Sequence, residues 1–139
     1  MRRTEQYSEK LSRLYPELHK PTGKEKVLTQ TVTFQVTDDC NLACKYCYQM
    51  HKGKKKMSFE TAKEMVDLLL SGDKGMDDYI NPVRSPGLII DFIGGEPLLE
   101  IELIDQICSY TINRMIKLNH PWLTRTMFSI CSNGVCYFE

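Results

Sequence analysis

The feature that most constrains the fold of this chain is a regular alternation of strand-like and helix-like segments. These segments are residues 27–37, 58–70, 88–93, 98–118 and 124–131. In the first of them, Val32, Phe34 and Val36 alternate with threonine and glutamine, as expected for a strand with one apolar face packed on helices. The third segment is nearly all apolar, which predicts a strand buried on both faces. An order of strand, helix, strand, helix, strand predicts right-handed crossovers and a parallel sheet, and therefore an α/β fold.

Both helical segments have recognisable start signals. Ser58 is a suitable N-cap for the first helix, and Pro97 suits the first turn of the second. The inner apolar stripe of that second helix is expected to consist of Ile101, Ile104, Ile107, Cys108, Met115 and Leu118. The chain before the first strand predicts a short amphipathic helix followed by a polar loop. We therefore divide the sequence into an N-terminal helix and loop, residues 1–26, and an α/β unit, residues 27–139.

A loop directly after the first predicted strand contains three of the six cysteines. Cys40, Cys44 and Cys47 have C-x3-C-x2-C spacing, and three thiolates on one short loop suit an iron–sulfur cluster or a zinc ion. A four-iron cluster held by three cysteines keeps one iron open to another ligand. His51 follows Cys47 with C-x3-H spacing, so a closed Cys3His zinc site is the alternative.

The other two predicted strands are also followed by unusual turns, G-G-E-P and S-N-G. Ligands of parallel β/α folds bind at the carboxyl ends of the strands, so three such motifs on one rim predict a binding site. Gly94 and Gly95 would let the backbone approach a ligand and adopt positive φ. Peptide groups there, and the carboxylate of Glu96, can accept hydrogen bonds from an ammonium group.

The cysteine loop resembles the cluster loop of radical S-adenosylmethionine (SAM) enzymes, because Tyr46 places an aromatic residue directly before the third cysteine. G-G-E-P and S-N-G also resemble motifs of that family. The resemblance implies that the three cysteines ligate a [4Fe–4S] cluster whose open iron is chelated by SAM. An electron from the cluster would cleave SAM to a 5′-deoxyadenosyl radical, which abstracts hydrogen from a substrate. It implies the following cofactor-binding residues: Tyr46, Gly94, Gly95, Glu96, Pro97, Ser132 and Asn133.

The resemblance extends over residues 27–134 and implies a partial parallel (β/α) barrel of the radical SAM type. Only about half of the family's strands can be assigned, so the barrel is expected to be truncated after the third strand. The sequence would then be a fragment of a longer coding sequence or one part of a split protein. An inactive truncated product is a further alternative, beside the zinc-binding module.

The C-K-Y-C-Y-Q stretch of the loop resembles most closely the family members that modify peptides and proteins, including sulfatase-maturing enzymes. A peptide or protein substrate and an electron donor such as flavodoxin or ferredoxin are the partners that this resemblance implies. The remaining thiols have other expected roles. Cys108 falls on a helical core face and is expected to be structural, and Cys131 and Cys136 are expected to be spare thiols.

Composition and charge indicate where the protein works and which partner classes it lacks. No apolar run approaches the length of a membrane span and no signal peptide precedes the first strand, which predicts a cytoplasmic protein without a membrane partner. Residues 1–56 hold 12 Lys/Arg against 6 Asp/Glu, and residues 57–139 hold 6 against 12, so the halves carry +6 and −6. We expect these charges to cancel within one fold, and predict no nucleic-acid partner.

Overall fold

The structure is a computed structural model that describes residues 29–49, 52–77 and 79–138. The predicted N-terminal helix and polar loop, residues 1–26, lie outside the described residues. So does His51, the fourth ligand of the alternative zinc site.

The predicted alternation of strands and helices is confirmed. Its elements are β1 Thr29–Thr37, α1 Phe59–Leu70, β2 Gly87–Gly94, α2 Ile101–Leu118 and β3 Thr126–Ile130. Three short 3-10 helices lie between or after them: Lys74–Met76, Pro97–Glu100 and Val135–Phe138. Ser58 caps α1 as predicted, because its side chain accepts a hydrogen bond from the backbone N–H of Thr61.

The described strands form one parallel sheet in the order β1-β2-β3. Thr33, Asp91 and Ser129 are aligned across it, so each strand ends at the same edge. The architecture is therefore α/β, with three parallel strands and two helices. Its open sheet agrees with a partial radical SAM barrel. No helix of the described residues is long and apolar enough to cross a membrane.

Both helices belong to one hydrophobic core on a single face of the sheet. Phe34 and Val36 are fully buried there, as predicted for the apolar face of β1. On the opposite face Thr31, Thr33 and Gln35 are exposed, whereas Thr37 at the end of the strand is buried. The remaining core residues are Ala62, Val66, Leu69, Leu70, Leu88, Ile90, Phe92, Ile104, Ile107, Met115 and Trp122. Phe34 and Phe92 lie with their ring centroids 6.0 Å apart, a spacing typical of packed aromatic pairs.

The expectation that the second strand is buried on both faces is wrong. Leu88, Ile90 and Phe92 are buried against the helices, whereas Ile89 and Asp91 on the opposite face are only half-buried. Among the described residues both helices belong to the same core, and this leaves the second face of β2 partly open to solvent.

The predicted inner stripe of α2 is correct in its middle and wrong at its ends. Ile101 and Leu118 remain 53% and 46% exposed because they lie at the first and last positions of the helix, outside the packed stretch. Thr111 takes a buried position between them, and its hydroxyl donates to the carbonyl oxygen of Ile107 at 2.7 Å. That internal hydrogen bond satisfies a polar group in an otherwise apolar stripe.

The third strand is shorter than predicted because a turn occupies residues 121–124. Asn119 ends α2 in the left-handed conformation, with φ of 46°. The turn then carries Trp122 into the core, where its indole N–H donates to the carbonyl oxygen of Ser85 at 2.7 Å. Sequence analysis missed this buried residue.

Candidate functional site

The three motifs meet at the carboxyl ends of the strands, as predicted. The backbone N–H of Gly95 donates to the carbonyl oxygen of Thr37 at 2.9 Å, and the N–H of Glu96 donates to that of Asp39 at 2.8 Å. These two bonds extend the pairing of β1 and β2 into the loops that follow. The G-G-E turn is thereby held against the first residues of the cysteine loop.

Gly94 and Gly95 are required here by the approach of the protein's own backbone. A methyl group at Gly94 would lie 2.6 Å from the carbonyl oxygen of Thr37, and one at Gly95 would collide with that of Asp39. The expectation of positive φ at these two glycines is wrong; among described glycines only Gly72 and Gly134 have it. The extended β1–β2 pairing keeps the turn in an ordinary backbone conformation and removes the space for a side chain.

Glu96 connects two of the three motifs. Its side chain is fully buried. Oε1 accepts hydrogen bonds from the hydroxyl of Ser132 and the backbone N–H of Leu98, both at 2.9 Å. Oε2 accepts one from the backbone N–H of Asn133 at 2.8 Å. The carboxylate therefore caps the 3-10 helix Pro97–Glu100 and fixes the S-N-G turn, a link that sequence analysis missed.

Asn133 carries this connection onward to the cysteine loop. Its side-chain Nδ2 donates to Oδ1 of Asn41 at 2.8 Å and lies 4.0 Å from Sγ of Cys40. The turn itself is internally braced, since the Ser132 hydroxyl accepts from the N–H of Gly134 at 2.9 Å. Gly134 has φ of 78°, so it supplies the positive-φ position of the motif.

The three loop cysteines are free thiols: Cys40 and Cys47 are half-buried and Cys44 is exposed. Among the described residues, no three metal-binding side chains are already arranged around a common ion position. The donor set nevertheless fits an iron–sulfur cluster, because its soft sulfur ligands share one exposed loop and form no disulfide. Loading would require the loop to bring its sulfurs together.

Two tyrosines frame this loop differently. Tyr46 is 92% exposed, so its ring is available to a ligand at the rim. Tyr48 donates its hydroxyl to the carbonyl oxygen of Gly94 at 3.2 Å, which ties the end of the loop to the G-G-E turn. Sequence analysis gave Tyr48 no structural role, although its position directly after Cys47 places it at the end of the cysteine loop.

The other cysteines differ in setting. Burial, together with the nearby carboxylate of Asp105, raises the pKa of Cys108 to about 11. Cys131 is exposed. Cys136 lies beside the cysteine loop, where its sulfur accepts a hydrogen bond from Nδ2 of Asn41 at 3.2 Å. Its position 95 residues from Asn41 explains why sequence spacing did not reveal the contact.

A parallel α/β sheet with a C-x3-C-x2-C loop, a G-G-E-P turn and an S-N-G turn on one rim defines a radical SAM-type domain. The chain belongs to the 4Fe-4S single cluster domain family, whose match covers residues 29–134. This membership favours the iron–sulfur interpretation over the zinc alternative.

Two relatives extend the comparison. An uncharacterised protein of Methanocaldococcus jannaschii is 38% identical over 101 residues, which are 73% of this chain and 31% of that protein. A serine-type anaerobic sulfatase-maturating enzyme of Bacteroides thetaiotaomicron is 41% identical over 61 residues, 43% of this chain and 14% of the enzyme. The matched part of the chain thus spans less than a third of either relative.

Proposed function

We propose that this chain provides the cluster-binding and part of the cofactor-binding region of a radical SAM enzyme. The observation that carries the proposal is the hydrogen-bonded junction of all three motifs at the carboxyl rim of the sheet. Cys40, Cys44 and Cys47 would hold a [4Fe–4S] cluster. When bound, that cluster supplies the electron for reductive cleavage of SAM to a 5′-deoxyadenosyl radical that abstracts hydrogen from a substrate.

The protein's own residues would bind and orient the cofactor. Backbone groups of residues 94–96 line the turn nearest the cysteine loop and would accept hydrogen bonds from the methionine ammonium group. Tyr46, being exposed, would pack against the adenine. Pro97 would keep the turn rigid at the start of its 3-10 helix. Ser132 and Asn133 would bound the pocket from the third strand.

Electron paramagnetic resonance (EPR) of the anaerobically reconstituted, reduced chain tests this proposal. We expect a [4Fe–4S] signal whose shape changes when SAM is added, because SAM would occupy the open iron. Stoichiometric zinc without a cluster signal would overturn the proposal. A cluster signal indifferent to SAM would contradict the assignment of the cofactor-binding residues.

Single substitutions identify the ligands. Cys40→Ser, Cys44→Ser and Cys47→Ser should each lose most of the bound iron, because each removes one of three thiolate ligands. The matched control, Cys131→Ser, should retain the iron content of the parent chain. His51→Ala should also retain it, and loss of metal in that variant would instead support the Cys3His zinc site.

We further propose a peptide or protein substrate. Support comes from the 61-residue similarity to the serine-type anaerobic sulfatase-maturating enzyme, together with the C-K-Y-C-Y-Q stretch of the cysteine loop. Anaerobic incubation with SAM, a reductant and serine-containing peptides should yield 5′-deoxyadenosine faster than incubation without peptide. Equal rates with and without every peptide tested would count against this substrate class.

The lysine-rich segment beside the cysteine loop supports the proposal that an acidic electron donor, such as flavodoxin or ferredoxin, binds there. Residues 40–56 contain five lysines and no Asp or Glu, and Lys45, Lys54 and Lys55 are exposed. Charge complementarity of this kind speeds encounter between partners and weakens with salt. Lys54→Glu should slow reduction of the cluster by flavodoxin at low salt, whereas Lys117→Glu on the exposed surface of α2 should not. Equal rates would contradict a donor site at this segment.

A further inference from the structure

The side-chain amides of Asn41 and Asn133 form a pair at the rim, and each end of the pair reaches a sulfur atom. Asn133 lies at the Cys40 end, with its Nδ2 4.0 Å from Sγ. Asn41 lies at the Cys136 end, with its Nδ2 3.2 Å from Sγ. A primary amide has two N–H donors. Asn133 can therefore keep its 2.8 Å bond to Asn41 and direct its second N–H at Cys40.

Cys40 already receives one other hydrogen bond in this arrangement. The backbone N–H of Leu42 donates to its sulfur at 3.4 Å. The amide of Asn133 would add a second donor, from a turn that lies 93 residues away in the sequence. This sulfur is thus a second point, beside Asn41, at which the cysteine loop and the S-N-G turn meet.

We propose that Asn133 is an outer hydrogen-bond donor to the ligating sulfur of Cys40 and raises the reduction potential of the metal centre. We propose in addition that Glu96 is the positioning residue that holds Asn133 in place. This inference rests on the proposed function, because it concerns the cluster that Cys40 would ligate. It gives Asn133 a role toward the cluster in addition to lining the cofactor pocket.

The electrostatic reason is direct. Reduction adds one negative charge to a cluster, and part of that charge resides on the sulfur atoms. An N–H dipole pointing at a ligating sulfur stabilises the more negative, reduced state more than the oxidised one. Hydrogen bonds to cluster sulfurs are an established means of tuning these potentials. Loss of the donor therefore shifts the midpoint to more negative values.

Glu96 explains why the amide is held in position. Its buried carboxylate accepts the backbone N–H of Asn133 and the hydroxyl of Ser132, so the residue is anchored at its backbone. The side chain is fixed separately, since Oδ1 of Asn133 accepts the N–H of Val135 at 2.9 Å. With both fixed, Nδ2 is directed toward the cysteine loop.

The test is an anaerobic redox titration of the reconstituted cluster, followed by EPR. Asn133→Leu removes both amide donors at similar size and adds no charge. We expect a more negative midpoint than in the parent chain, at unchanged iron content. Asn113→Leu, on the exposed surface of α2, is the matched control and should keep the parent midpoint. An unshifted midpoint in Asn133→Leu would overturn the inference.

Glu96→Gln tests the positioning role. It replaces one carboxylate oxygen with an amide donor, so one of the three hydrogen bonds to this side chain is lost. The midpoint should shift in the same direction as in Asn133→Leu. In a chain that already carries Asn133→Leu, Glu96→Gln should add no further shift. A full additional shift would show that Glu96 acts by another route.

A measurement on the unsubstituted chain guards against variants that fail to fold. With asparagine labelled by ¹⁵N in the side chain, pulsed EPR of the reduced cluster should detect coupling to an amide nitrogen. Its absence in a chain with a normal cluster signal would overturn the inference and leave the proposed function intact. Failure of the parent chain to form any cluster would overturn both.

Discussion

Among the described glycines, Gly95 has the least room for a side chain. Its position is set by contact between two loops of the chain, since the carbonyl oxygens of Asp38 and Asp39 occupy the space where a side chain would begin. A substitution at Gly95 would therefore first disturb the packing of the cysteine loop against the G-G-E turn. Any effect on a bound cofactor would follow from that displacement.

We therefore predict that Gly95→Ala lowers both stability and iron incorporation. Overpacking of this kind costs about 1–3 kcal/mol, measurable by urea unfolding of the chain. Gly53→Ala is the control, because a methyl group there would make ordinary van der Waals contacts, with the side chain of Asp38 at 3.4 Å and the backbone nitrogen of Lys55 at 3.8 Å. If Gly95→Ala matched the parent in both measurements, the close contact would be of no consequence.

Cys108 should be the least reactive of the described thiols. Burial, reinforced by Asp105, raises its pKa to about 11 from an ordinary 9.0. At a given neutral pH its thiolate fraction is then about a hundredfold lower than that of an unperturbed thiol, and the thiolate is the nucleophile. Alkylation followed by mass spectrometry should label exposed Cys44 and Cys131 well before Cys108. Rapid labelling of Cys108 in the folded chain would contradict its burial.

Between the two helices, Asp67 of α1 forms the main polar contact with α2. Its carboxylate accepts hydrogen bonds from the hydroxyl of Tyr110, at 2.9 and 3.0 Å, and from Nε of Arg114 at 2.6 Å. Burial raises the pKa of Asp67, but these two donors outweigh it, so the pKa lies below 3.8. The stabilisation is therefore present above pH 3.8 and is lost as pH falls through the lowered pKa.

Tyr110→Phe should raise the pKa of Asp67, as measured by NMR titration of its carboxyl carbon. The substitution removes the hydroxyl donor and leaves Arg114 in place. At pH values above 3.8, the melting temperature of Tyr110→Phe should therefore also be lower than that of the parent chain. Tyr79→Phe is the control, since Tyr79 lies on the exposed loop before β2. An unchanged pKa of Asp67 in Tyr110→Phe would show that the hydroxyl contributes nothing to it.

His120, in the turn between α2 and β3, is a second group, after Asp67, whose ionisation affects stability. Burial lowers its pKa below 6.5. The neutral ring accepts the backbone N–H of Trp122 at Nδ1, at 3.3 Å, and lies 5.0 Å from the indole between ring centroids. Because the unfolded chain binds this proton more readily, His120 makes stability fall as pH drops below 6.5 towards the folded pKa.

His120→Gln should flatten that part of the stability profile. Trp122 is the sole tryptophan in the sequence and is fully buried, so its fluorescence reports unfolding directly. Urea midpoints at pH 7.5 and 5.5 should differ more in the parent chain than in His120→Gln. Equal differences in both chains would assign the pH dependence to other groups.

For the protein as a unit, local pattern predicted the order of elements and the parallel direction of the strands. Period-two alternation in β1 and the cap at Ser58 are properties of neighbouring residues, so they are readable from sequence. The shared rim also followed, because parallel strands place their carboxyl ends together. The positive φ predicted for residues 94–95 was wrong, because their conformation is set by pairing with the end of β1, which lies far away in the sequence.

Contacts between distant segments account for most of what was missed. Trp122 lies in a turn, and nothing near it in the sequence indicates burial. The structure places its side chain in the core, where the carbonyl oxygen of Ser85 accepts a hydrogen bond from the indole N–H. From sequence, the carboxylate of Glu96 is expected to accept hydrogen bonds from a ligand. In the structure its oxygens accept hydrogen bonds from the protein itself, from residues up to 37 positions away. No local periodicity carries information about such pairs.

The distance along the chain between Cys47 and Asn133 also has a consequence for biosynthesis. Asn133 is 86 residues later (133 − 47), so the ribosome makes it well after the cysteines. At synthesis rates of about 5–20 residues per second, the interval is about 4–17 s. During that time the thiols exist without the strand and turn that complete their surroundings. Delivery of iron and sulfide to the nascent chain would meet an unfinished site, so cluster assembly should follow release of the third strand from the ribosome.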